Sequence, residues 1–77
     1  MQMWEYRFVT CRYAEAGGWK PRSVNEEVLP DWQSGPTMYA FANGLGEQGW
    51  ELVSAALVFD ETGDEKAYRL VFKRAKA

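Results

Sequence analysis

Cys11 is the chain's only thiol, and histidine is absent. Those two counts remove most familiar site chemistry. An internal disulfide needs a second cysteine, and a tetrahedral zinc site needs four Cys, His or acidic ligands in a set that one Cys cannot anchor. Ser-His-Asp and Cys-His nucleophile systems are excluded outright. Cys11 could attack a substrate only as a thiolate, with Arg12 beside it to lower its pKa. A lone cysteine in a strand is more often a small core residue. Carboxylates occur in adjacent pairs at Glu26/Glu27, Asp60/Glu61 and Asp64/Glu65. General acid–base work needs two carboxyls facing one substrate from contrasting environments, which neighbours in a turn do not supply. Asp60 to Glu65 is too short and misspaced for an EF-hand loop and reads as a solvated hairpin tip. No catalytic residue, metal or cofactor is expected.

The residues suited to binding are different ones. In Gly17-Gly18-Trp19-Lys20-Pro21-Arg22 two glycines permit close backbone approach, Trp19 offers a stacking plane, and Lys20 and Arg22 suit a phosphate or carboxylate. The run lacks Walker or Rossmann spacing. A loop pinned by one buried tryptophan explains the same residues. Trp50, directly after Gly49, is either a ligand-stacking residue or packing under a helix end. The carboxy-terminal stretch holds Lys66, Arg69, Lys73, Arg74 and Lys76 without an acid. Should Arg69 and Lys73 share a sheet face with aromatics, that face could take single-stranded nucleic acid by stacking and charge. A solvated outer face accounts for them equally, and the formal charge of −2 disfavours nucleic acid as a partner.

These residues need a scaffold, and 77 of them make one domain, residues 1–77. A chain this short buries only about 60–65% of its unfolded surface, so it needs a dense core or a partner subunit. Four Trp, four Tyr and four Phe, 16% of the chain, exceed what one sheet and one helix easily hide. A homo-oligomer is therefore expected. No apolar run approaches the ~18 residues of a membrane span, and the first residues lack signal-peptide regions. With a single free thiol, the cytoplasm is the expected compartment.

Residues 3–13 alternate as a strand, Trp4, Tyr6 and Phe8 on one face and Val9 and Cys11 on the other. Residues 14–36 show no defensible period and read as a long loop insertion, the place where specific function would lie. A helix follows: Ser34 as cap, Pro36 in the first turn, then Met38, Phe41, Ala42 and Leu45 at helical spacing. Gly46 or Gly49 ends it. Residues 50–59 and 66–74 form a hairpin of two strands. The order β-α-β-β predicts an α+β domain with a three-stranded antiparallel sheet and one helix on one face. The third strand sits between the first two, leaving 50–59 on an edge that invites a second subunit.

Trp4-Glu5-Tyr6-Arg7-Phe8-Val9, the run from Asn43 to Ser54 containing Leu45-Gly46-Glu47-Gln48-Gly49-Trp50-Glu51-Leu52-Val53-Ser54, and Leu70-Val71-Phe72-Lys73-Arg74 together resemble a family of short bacterial and phage proteins known only as a domain of unknown function. Its hallmark is Leu-Gly-x-x-Gly-Trp-Glu-Leu-Val-Ser after a short helix, closed by a Phe-Lys-Arg strand. The resemblance covers about a third of the chain, implies the β-α-β-β fold and implies no catalytic residues. Members are usually shorter, and 14–36 is this chain's departure from them.

The functional expectation is a non-catalytic, homo-oligomeric binding module. Its loop 14–36, with Trp19, Lys20 and Arg22, and with Trp50 beside it, would take a small anionic ligand, possible forms including a nucleotide-type signal, or a protein partner. The alternatives are a purely structural accessory subunit and, with less support, a small enzyme or a single-stranded nucleic-acid binder.

Overall fold

The computed structural model describes residues 1–15, 17–59, 63 and 66–77. Five strands and one helix follow in the order β1 (Trp4–Ala14), β2 (Gly18–Val24), β3 (Glu27–Val28), α1 (Met38–Glu47), β4 (Glu51–Phe59) and β5 (Lys66–Ala75), with a 3-10 turn at Trp32–Ser34 before the helix. The strands form one sheet in the order β3-β2-β1-β5-β4, every pair antiparallel. The expected insertion of the last strand between the other two is present. The expected three-stranded sheet is not: the sheet has five strands, because residues 18–28 carry two of them.

The strand at 18–24 is concealed by Pro21, which normally argues against a strand interior. Here Pro21 lies opposite Cys11, at a register shift between Thr10 and Cys11, and β3 pairs only with Ser23 and Val24. The proline therefore sits where the ladder is irregular and its outer neighbour is missing. Asn25 and Glu26, both with positive φ (49° and 71°), connect β2 to β3. Val24 and Glu27 pair, so the connection is a two-residue hairpin of the type that needs left-handed backbone twice. Asparagine suits such a turn; Glu26 holds the second position at a cost of about 1–2 kcal/mol.

Asn25 also ends the β1–β2 ladder. Its backbone N–H donates to Phe8 O at 2.7 Å, and its Oδ1 accepts from Phe8 N at 2.9 Å. Beyond that clamp, residues 4–8 of β1 pair with β5 alone.

The helix begins one turn later than Ser34 suggests. Thr37 is its cap, Oγ1 accepting from Ala40 N at 3.1 Å, while Ser34 Oγ donates to Asp31 O within the 3-10 turn. Its end is a Schellman motif: Trp50 N–H donates to Leu45 O and Gly49 N–H to Gly46 O, both at 3.0 Å, with Gly49 at φ 91°. The hydrophobic contact that accompanies this motif is Leu45 with Trp50, both in the core.

That core lies on one face of the sheet. Val9 and Cys11 of β1 and Leu70 and Phe72 of β5 meet Leu45 and Trp50, with Val24, Met38, Phe41, Ala42 and Tyr68 packed around them. The register sets Val9 opposite Leu70 and Cys11 opposite Tyr68, so the face beneath the helix is the one carrying Val9 and Cys11. Trp4, Tyr6 and Phe8 alternate to the other side, which no helix covers. The hairpin tip expected at Asp60–Glu65 lies outside the described residues, apart from Gly63. Among the described residues no helix is long and apolar enough to cross a membrane.

Candidate functional site

Trp19, Lys20, Arg22 and Trp50 do not converge. Trp19 stands on β2 between two tyrosines, its ring 5.7 Å from Tyr13 and 4.7 Å from Tyr68, both edge-on. The ring reaches Tyr68 across β1 because the residue between them, opposite Tyr68, is the small Cys11. Lys20 donates from Nζ to Gly35 O at 2.7 Å, tying β2 to the segment before the helix. Arg22 lies on β2, its carbonyl accepting from Leu29 N at 2.8 Å. Trp50 is 5% exposed. Tyr68 beside Trp19 and Arg74 beside Trp50 are six residues apart on β5, about 20 Å.

Around Trp50 two cations stack on one indole. The guanidinium of Arg7 lies 4.6 Å and that of Arg74 4.4 Å from the ring centroid. Arg74 also donates to Gln48 O at 3.0 Å and to Glu5 Oε1 at 3.4 Å. Glu5 thus offsets one of the two charges. Arg7 Nε and Trp50 Nε1 are buried without a hydrogen-bond partner, so the ring quadrupole is what stabilises the Arg7 head here. The arrangement binds strand ends to the helix terminus and presents no indole face to solvent.

Cys11 is fully buried, and desolvation pushes its thiol from the ordinary 9.0 up to about 11. Burial favours the neutral thiol, so folded protein holds its proton where unfolded chain has lost it. The resulting stability is intact below pH 9 and declines between pH 9.0 and about 11. Urea unfolding across that range is expected to show a falling midpoint, and Cys11→Ala a flatter profile. A thiol reagent at pH 7 is expected to leave the folded protein unlabelled and to modify it fully in denaturant. Labelling of the native protein would show that Cys11 is accessible after all. Among the described residues no group of three or more His, Cys, Asp or Glu side chains could hold a metal ion.

A depression of about 290 Å³ opens beside the β2–β3 turn, lined by Val24, Asn25, Glu27, Val28, Leu29 and Pro30. Its one charged side chain is acidic, which is unsuited to an anion.

The sheet face opposite the helix is not covered by another element among the described residues. Trp4, Tyr6 and Phe8 alternate along β1 on this face, 43%, 52% and 50% exposed. Opposite them on β5 stand Ala75, Lys73 and Val71, and Arg69 stands opposite Thr10. Lys73 Nζ rests 4.4 Å over the Trp4 ring. Ala56, Ser54 and Glu51 of β4 continue the rows of Arg69, Val71 and Lys73. Arg69 and Lys73 therefore do share a face with aromatics. The alternation of Trp4, Tyr6 and Phe8 was legible in the sequence, but which face the helix takes was not. The usable signal is the opposite row: Val9 and Cys11 are small enough to receive a helix and Trp19, whereas three large rings in succession are not.

A five-stranded antiparallel sheet with a single helix on one face and an aromatic, cation-bearing face left open defines a small α+β domain. The chain belongs to the family described as domain of unknown function (DUF4177), whose model matches residues 4–75. Neither a curated protein nor a solved structure matches it.

Proposed function

We propose that this chain is a non-catalytic binding module that works as a homo-oligomer joined along β4. The observation carrying the reading is the free edge of that strand. β4 pairs with β5 on one side only, and eight of its nine residues are exposed. Leu52, Val53, Leu57 and Phe59 are 45–59% exposed, yet the strand carries no lysine, arginine or proline to block pairing. A nine-residue apolar edge of this kind pairs with another strand, and a second copy supplies one by two-fold symmetry. Antiparallel pairing centred on Ala55 would extend the sheet to ten strands and set Val53 of one copy opposite Leu57 of the other.

A ligand site built on Trp19, Lys20 and Arg22 has less behind it, since Trp19 is wedged between tyrosines and Lys20 is bonded to a carbonyl. The buried, protonated thiol suits a reducing compartment such as the cytoplasm.

Sedimentation equilibrium tests the assembly. The wild type is expected at the mass of a dimer or a multiple of it. Val53→Lys/Leu57→Lys, which places like charges opposite each other, is expected at monomer mass with an unchanged far-UV spectrum. A wild type that stays monomeric, or a double variant that keeps its mass, would remove β4 as the junction.

A further inference from the structure

We infer that the open sheet face binds single-stranded nucleic acid, the bases lying on Trp4, Tyr6 and Phe8 and the phosphates meeting Lys73 and Arg69. The inference goes beyond β4 pairing and does not require it.

The rings come first. Trp4, Tyr6 and Phe8 are two residues apart in sequence on an extended strand, so neighbouring rings are separated by about 6.6 Å. That is about twice the 3.4 Å rise per nucleotide of one strand in a duplex. A ladder with that step cannot be met by bases still stacked on one another, whereas bases splayed from a single strand can each take a ring. All three rings are between 43% and 52% exposed; Lys73 Nζ covers one face of Trp4, so a base there would meet what that cation leaves exposed.

The charges lie beside the ladder. Lys73 is directly opposite Tyr6 and Arg69 opposite Thr10, one strand over from the rings. Arg12, opposite Ala67, continues the same side of β1. The acid the register places on this face is Glu51, opposite Lys73. The other acids of the described residues are elsewhere: Glu5 is on the helix side with Arg74, Glu15, Glu26, Glu27 and Asp31 lie in or beside the turns flanking β2 and β3, and Glu47 is on the helix. Among the described residues Lys73 and Arg69 thus outnumber the acid on this face, within an acidic chain. Screening over about 8–10 Å makes the local sign, rather than the net charge, the one a phosphate meets.

Other occupants fit less well. Stacking two such faces would press Lys73 and Arg69 of both copies into one water-poor layer, like charge against like. A free mononucleotide needs a concavity, and this face is a sheet surface. A duplex has no exposed ring faces to offer along its length.

Fluorescence anisotropy of the full chain with a labelled oligo-dT of about 12 nucleotides tests the inference, with a duplex of equal length beside it. The expected result is saturable binding of the single strand, weakened about tenfold between about 50 and 200 mM salt as two or three phosphate contacts are screened. Tyr6→Ala/Phe8→Ala should weaken it a further tenfold or more. Arg69→Gln/Lys73→Gln should weaken it and flatten the salt dependence. Tyr6, Phe8 and Arg69 are exposed and Lys73 is half-buried, and circular dichroism checks that both double variants fold. No anisotropy change at about 100 μM protein, a duplex bound as tightly as the single strand, or binding indifferent to both double variants would each overturn the inference. Mass measured on the same samples separates the two readings. Val53→Lys/Leu57→Lys should lower the mass while each chain still binds, and a Tyr6→Ala/Phe8→Ala protein that loses mass without losing binding would make this face a subunit contact instead.

Discussion

Trp50→Ala is expected to cost about 3–5 kcal/mol, a large part of the roughly 4–12 kcal/mol available to a chain of this size. Trp50 is 5% exposed and meets Leu45 in the core, so truncation leaves a cavity beneath the helix end. It also removes the surface on which Arg7 and Arg74 stack, leaving the Arg7 head, whose Nε has no hydrogen-bond partner, without its ring. Trp50→Phe separates these effects. It keeps an aromatic face for both guanidiniums, and nothing is lost at Nε1, which has no partner to lose. Its expected cost is about 1 kcal/mol. Urea unfolding followed by circular dichroism reads both. A Trp50→Ala protein within about 1 kcal/mol of the wild type would mean that the indole is not an anchor.

Gly49→Ala is expected to cost about 1–2 kcal/mol, because φ at this position is 91° and an L side chain is strained there. Space is not the cause: a Cβ at Gly49 would stand 3.5 Å from Arg74 Cδ, an ordinary contact. Gly46→Ala provides the opposite case within the same turn. It lies inside the helix with nothing within 4 Å of the added carbon, and a gain of about 0.5–1 kcal/mol is expected. The same thermal or urea melts measure both. Equal effects of the two substitutions would contradict the left-handed turn at Gly49.

The two glycines also show what was legible in the sequence. Helix, stop and strand were readable from Met38 to Phe59, because their signals are local: helical spacing, a glycine able to turn left-handed, then an apolar run. The placement of 66–74 between the other strands followed from the antiparallel requirement alone. Residues 14–36 failed for a physical reason. Pro21 and the scattered Trp19, Val28 and Leu29 give no period, since β2 is bulged against β1 and β3 spans only two residues. Its strand character comes from pairing with β1, a contact distant in sequence. The candidate residues were chosen by type and not by orientation. Aromatic and basic types were recognised, but Trp19 and Trp50 turned inward while Trp4, Tyr6 and Phe8 turned outward, and only the position of the helix decides between those outcomes.

The clamp of Asn25 on Phe8 divides the sheet along its length. On one side of that residue the sheet is four strands wide, and five where β3 pairs with Ser23 and Val24; on the other, β2 and β3 are absent from it. The ribbon of β2 and β3 is thus a lateral attachment that stops before it reaches Trp4 and Tyr6. A longer or shorter outer turn of the ribbon, beyond Trp19, Pro21 and Val24, would leave the pairing of β1, β5 and β4 unaltered. A change of length in that turn would fall on one flank of the sheet, away from Trp4 and Tyr6.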